Sequence, residues 1–99
     1  MFVYSVKCTL PSASLAEEYI AWLRGGHLAD VVAAGASTAE AIRFDGEPTV
    51  VESRYTFSDR EAFSAYERDH APALRAEGLA RFPPELGLQF TRATGFLVG

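Results

Sequence analysis

Residues 14–27, Ser-Leu-Ala-Glu-Glu-Tyr-Ile-Ala-Trp-Leu-Arg-Gly-Gly-His, and residues 58–70, Ser-Asp-Arg-Glu-Ala-Phe-Ser-Ala-Tyr-Glu-Arg-Asp-His, carry one pattern twice. Serine, glutamate, aromatic, alanine, aromatic and arginine recur at the same spacing, and the second copy reaches its histidine one residue sooner. Ser14 with Glu17, and Ser58 with Glu61, read as capping boxes, which supply partners for the free amides at a helix start. Leu15, Tyr19, Trp22 and Leu23 make an apolar helical stripe, and Ala62, Phe63 and Tyr66 make the second. Gly25-Gly26 breaks or kinks the first helix, Leu28 to Ala34 resumes it, and Gly35 ends it. Pro72 forbids a regular helix through it, so a further helix is predicted from there to about Arg81.

Each helical copy is flanked by strand-like runs. Phe2, Tyr4, Val6, Cys8 and Leu10 alternate with Val3, Ser5, Lys7 and Thr9. Ser37 to Phe44 and Thr49 to Phe57 form a predicted hairpin around Asp45-Gly46-Glu47-Pro48. Leu88 to Val98 is the last strand. The order is β-α-β-β-α-β, an internal repeat of two strand–helix–strand halves. Right-handed crossovers give an antiparallel sheet of order 4-1-3-2 with helices on one face, the ferredoxin-like sandwich of the α+β class. Its other face, with Val3, Ser5, Lys7, Thr9, Val50, Glu52, Arg54 and Thr56, is too apolar to be plainly solvated and too polar for a dry core. A sheet-to-sheet homodimer would cover it.

Composition narrows the class. Ninety-nine residues suffice for one domain, spanning 1–99. A formal charge of −4 argues against a nucleic-acid partner, and no basic run suggests a membrane partner. The opening residues carry no secretory-signal pattern, no stretch has a spanning helix's apolar length, and a lone Cys8 fits a reducing cytoplasm. Cys8 shares the parity of Phe2, Tyr4 and Val6 and reads as a small buried hydrophobe.

The candidate functional residues are few. His27 and His70 each fall at a helix interruption beside an aromatic stripe. One reading is an acid/base or ligand donor at a pocket, His27 being the catalytic candidate. The plainer reading, favoured by the repeat, is a ring bonded to main-chain groups freed at the break. Trp22 and Tyr66 occupy matching positions and read first as core, packed on the face of Tyr4, Val6 and Tyr55; an unfilled pocket would make them ligand contacts. Glu52 and Arg54 lie two apart on the outer sheet face, with Arg92 placed to join them. They read equally as an interface ion pair or as a polar ligand site. No histidine has partners at metal-ligand spacing, so neither a metal nor a cofactor is expected.

The segments Glu17–Gly35 and Phe57–Phe82, with the opening Phe2-Val3-Tyr4-Ser5-Val6, resemble a bacterial family of short ferredoxin-like chains known only as a domain of unknown function. The family is related in shape to the dimeric α/β-barrel proteins, which include antibiotic-biosynthesis monooxygenases. The resemblance implies the fold and a homodimer, and no reaction. The function expected is a small module that binds an apolar or aromatic metabolite or acts in interactions. The alternative is a cofactor-independent enzyme of monooxygenase, isomerase or polyketide-cyclase type, with His27 as acid/base and Trp22 and Tyr66 stacking the substrate.

Overall fold

Strand β1, Phe2–Thr9, shows what the alternation does. Phe2, Tyr4, Val6 and Cys8 are buried, while Lys7 and Thr9 are exposed. The computed structural model describes residues 1–99. After β1 come helix α1 (Ala13–Trp22), a π-helical turn (Leu23–His27) and helix α2 (Leu28–Ala33). Strands β2 (Thr38–Phe44) and β3 (Glu47–Phe57) follow, then helices α3 (Arg60–Asp69) and α4 (Ala71–Arg81), and strand β4 (Gln89–Phe96). The sheet is antiparallel throughout, in the order β2-β3-β1-β4. This is the predicted ferredoxin-like arrangement. The hairpin turn is shorter than predicted: β3 already begins at Glu47, and an irregularity at Arg43/Phe44 absorbs the difference.

The core lies between helices and sheet in two clusters. One joins Phe2, Tyr4, Tyr55 and Phe57 of the strands to Val31, Tyr66 and Ala71 of the helices. The other joins Cys8 and Val51 to Ala16, Tyr19, Leu23 and Phe82. All the strand residues in both share the parity that the sequence assigns to the helix-facing side. Burial of such side chains contributes roughly 1.5–3 kcal/mol each, the main favourable term of folding. Strand β4 pairs only with β1 and stays largely exposed, Phe90 at 40% and Phe96 at 58%.

The helix starts differ from the predicted ones. Ser12, not Ser14, caps α1, its hydroxyl accepting from the amide of Leu15 at 3.1 Å. Asp59, not Ser58, caps α3, accepting from the amide of Ala62 at 2.8 Å. Both caps have extended backbone, as the cap geometry needs. Measured from its cap, each helix places a buried tyrosine at one level, Tyr19 in α1 and Tyr66 in α3. The helices therefore match by their caps, whereas the sequence pattern pairs Trp22 with Tyr66. Helix α2 ends as predicted, with Gly35 at φ 131°, a conformation that favours glycine.

Ser12→Ala and Asp59→Ala should each lower the unfolding free energy by about 1 kcal/mol in urea titration. Ser14→Ala and Ser58→Ala should stay within about 0.5 kcal/mol of the parent. The reverse ranking would restore the serines read from the sequence as caps.

Candidate functional site

Between the two core clusters the packing is incomplete. A cavity of about 300 Å³ lies there, walled by the sheet, α1, the π turn, α3 and α4. The sheet side supplies Tyr4, Val6, Ser53 and Tyr55, and the helices supply Tyr19, Trp22, Tyr66 and Leu74. Leu79 and Phe90, 54% and 40% exposed, stand at its edge. Its volume is at the lower end of the range for small-molecule sites.

Beside the cavity the first helix widens into a π turn. Gly25 and Gly26 lie within the π turn Leu23–His27, and Gly26 leaves helical backbone geometry altogether. Trp22 and His27, five residues apart, would point about 140° away from each other on a regular α-helix. Here the rings stack, with centroids 4.2 Å apart at an interplanar angle of 20°. The segment that reads as punctuation in the sequence is thus the π turn that brings His27 back over the indole. On α4, Gly78 lets the indole approach: an added Cβ there would lie 3.4 Å from Trp22 Cη2. Phe82 meets the same indole edge-on at 5.7 Å.

The predicted main-chain bond of His27 does not form. Its Nδ1 is buried with no hydrogen-bond partner, and the ring lines the cavity. Burial pulls its pKa below 6.5, and the negative charge of Asp30 offsets only part of that. The imidazole is therefore neutral at pH 7, and one of its ring nitrogens is left unpaired, a state that buried polar atoms rarely tolerate. Trp22 is partly buried, packing against the second core cluster while also lining the cavity, and Tyr66 is in the first cluster at 5% exposure.

The polar part of the cavity centres on Tyr4. Its hydroxyl accepts from Arg75 Nη2 at 3.3 Å and from Arg92 Nε at 3.1 Å. Arg75 also donates to both carboxylate oxygens of Glu67, at 2.7 and 3.0 Å. Arg92 lies opposite Val6 in the β1–β4 register, hence on the helix side of the sheet. It does not join Glu52 and Arg54 as predicted. Tyr55, also in the wall, has its pKa raised to about 12, chiefly by burial. Burial raises Tyr19 and Tyr66 as well, so all three stay protonated hydroxyl groups at neutral pH.

The remaining predicted residues lie elsewhere. His70 is exposed at the α3–α4 junction and its side chain makes no capping bond, against the predicted main-chain bond. Glu52 and Arg54 do pair, with contacts of 3.1 and 3.3 Å, and Ser5 donates to Glu52 at 2.7 Å. That cluster sits on the outer sheet face, with Glu52 only 5% exposed, and shares no wall with the cavity. Of the six ligand candidates, then, the cavity brings together Trp22, His27 and Tyr66. Sequence reasoning did not single out Tyr4, Arg75 or Arg92 for it. The available signal was the parity of Tyr4 within β1; the arginines converge on its hydroxyl from elements 71 and 88 residues away. No three His, Cys, Asp or Glu side chains converge to hold a metal ion, and no helix is long and apolar enough to cross a membrane.

Residues 1–92 match the model of a family described as a domain of unknown function, DUF4286. No curated protein matches the chain. Among solved structures it is similar to a dimeric ferredoxin-like protein from an uncultured marine organism, at 18% identity and TM-score 0.72, covering 99% of this chain and 95% of that one. It is similar also to a monooxygenase from the gene ActVA-Orf6 of Streptomyces coelicolor in complex with nanaomycin D, at 17% identity and TM-score 0.68, covering 99% and 91%. A third is a Bacteroides thetaiotaomicron protein of unknown function described as a possible oxidoreductase, at 15% identity and TM-score 0.71, covering 95% and 94%. Identities this low make the likeness one of fold.

The buried imidazole has a pH signature. In the unfolded chain His27 takes up a proton as pH falls through about 6.5, whereas the folded protein does so only at lower pH. In that window the unfolded state binds more protons, so stability declines as pH drops and levels off below the folded pKa. Urea unfolding across this window should show the decline in the parent and a smaller one in His27→Gln. The same pH dependence in both proteins would place the ring in solvent.

Proposed function

We propose that this chain, which belongs to the DUF4286 family, is a cytoplasmic homodimer of one ferredoxin-like domain that binds a small planar aromatic metabolite in the cavity beside Trp22. The observation that carries the reading is the Trp22–His27 stack with its unpartnered Nδ1. The stack supplies a flat aromatic wall, and the buried, unpaired ring nitrogen marks a polar group that the chain itself leaves unsatisfied. Tyr66 also lines the cavity. The aromatic lining favours an aromatic guest over an aliphatic one of equal size, since ring pairs contribute about 0.5–1.5 kcal/mol beyond area burial. The dimer would join outer sheet faces and enclose the Ser5–Glu52–Arg54 cluster, whose nearly buried carboxylate is already fully paired within its own chain. A buried lone Cys8, its thiol pushed up to about 12 by burial, agrees with a reducing compartment.

A second reading, a cofactor-independent enzyme, is favoured by one observation: His27 is a neutral base at pH 7 facing a cavity. Such a base could take a proton from a phenol or an activated carbon held against Trp22. The monooxygenase in complex with nanaomycin D gives this reading support by analogy of fold.

Trp22 is the sole tryptophan, so its fluorescence reports on the cavity directly. Titration with neutral 2-naphthol should quench it saturably below about 1 mM, and His27→Gln should weaken the binding. No saturable quenching up to the solubility limit defeats the binding reading. A change in 2-naphthol itself over time, lost in His27→Gln, would favour the enzyme. Light scattering at micromolar concentration should give the dimer mass, and a monomer mass throughout that range would remove the dimer.

A further inference from the structure

The charge of the cavity runs against that of the chain. The sequence carries a formal charge of −4, yet the cavity wall contains two arginines and no aspartate or glutamate. Arg75 is answered by Glu67, just outside. Arg92 pairs with no carboxylate; beyond its bond to Tyr4 it lies over the Phe90 ring, 5.3 Å from the centroid. A net positive wall in an acidic protein selects for the charge of what enters.

Tyr4 sharpens the selection. A phenolic oxygen offers two acceptor positions and one proton. Both acceptor positions are taken, by Arg75 and Arg92. The Tyr4 proton cannot be directed to either arginine, since neither has an acceptor, and it goes to no acceptor of the chain. Tyr4 is 5% exposed, and a buried hydroxyl of this kind is ordinarily satisfied. The site therefore presents the Tyr4 O–H and the solvent-exposed terminal N–H groups of Arg92 as donors that no acceptor of the chain occupies, with a full positive charge behind them.

We propose that the ligand is an aromatic carboxylate, its charge met by Arg92 and one oxygen accepting the Tyr4 proton, with its ring beside Trp22. The inference rests on the ligand-binding reading above and specifies the ligand class. A carboxylate has two oxygens for two kinds of donor, and its planar fork suits a guanidinium. A phenolate offers a single oxygen to the same donors.

The test uses two probes of one shape, 2-naphthoate and neutral 2-naphthamide, titrated at pH 7 with Trp22 fluorescence as the signal. The parent should bind naphthoate at least about tenfold more tightly than the amide, the magnitude of one hydrogen bond to a charged group. Arg92→Gln should narrow that gap to about twofold. Tyr4→Phe, which removes only the hydroxyl, should weaken naphthoate by about fivefold relative to the amide, and it carries the test should Arg92→Gln fail to fold. Equal binding of both probes by the parent, or a gap that survives both substitutions, overturns the carboxylate inference and leaves the binding reading standing. Failure of both probes to quench Trp22 overturns the binding reading itself.

Discussion

Two residues five apart cannot share a face of a regular α-helix, so the 4.2 Å contact between the Trp22 and His27 rings has to be built by the backbone. The π turn Leu23–His27 builds it, and Gly26 takes the non-helical conformation that the turn requires. Much of the site follows from that one distortion. A straight helix would carry His27 away from Trp22 and leave the indole free to close on Phe82 and the sheet. Instead the indole is held between an imidazole and the near approach of Gly78, and a cavity opens between two halves of the core. Single-turn π segments inside α-helices are often placed where a side chain must be re-aimed.

The cost of the cavity is visible in what remains unpaired. Packed interiors leave few voids, and buried polar atoms nearly always find partners. Here a void is lined by an imidazole without a hydrogen bond and by a tyrosine hydroxyl whose proton has no acceptor in the chain. A core selected for stability alone would fill such a space with an aliphatic side chain. The combination of incomplete packing and incomplete polar satisfaction is the physical basis for reading the region as a ligand site.

The two faces of the sheet divide the chemistry. The helix side holds the core and the cavity. The outer side holds the Ser5–Glu52–Arg54 cluster, in which a carboxylate reaches near-complete burial while accepting three hydrogen bonds. Such a carboxylate has its charge answered locally, which makes the face tolerant of being covered. Nothing in that cluster is left over for a ligand. The contrast with the cavity is therefore one of satisfaction: the charges of this outer cluster are paired within the chain, whereas Arg92 meets no carboxylate of the chain and the Tyr4 proton no acceptor.

Period decided what the sequence could say. Alternation in Phe2–Val6 and Val51–Phe57, helical stripes in two copies, and turn residues between them specified the elements, their order and the sheet topology, because backbone geometry ties each to a spacing of two or 3.6 residues. The same spacing placed Tyr66 correctly in the core. It misplaced the caps by one or two residues, since Ser12 and Ser14, like Ser58 and Asp59, are all able caps and only φ/ψ chooses between them. It also read the two histidines as equivalent, because a repeat in sequence carries no information on which copy the backbone distorts. The convergence of Arg75 and Arg92 on Tyr4 joins α4, β4 and β1 across most of the chain, and no local pattern encodes that meeting. Periodicity is a property of neighbours in sequence and so determined the architecture; an unpaired nitrogen, a shared hydroxyl and a void are properties of neighbours in space, and only the tertiary structure decided them.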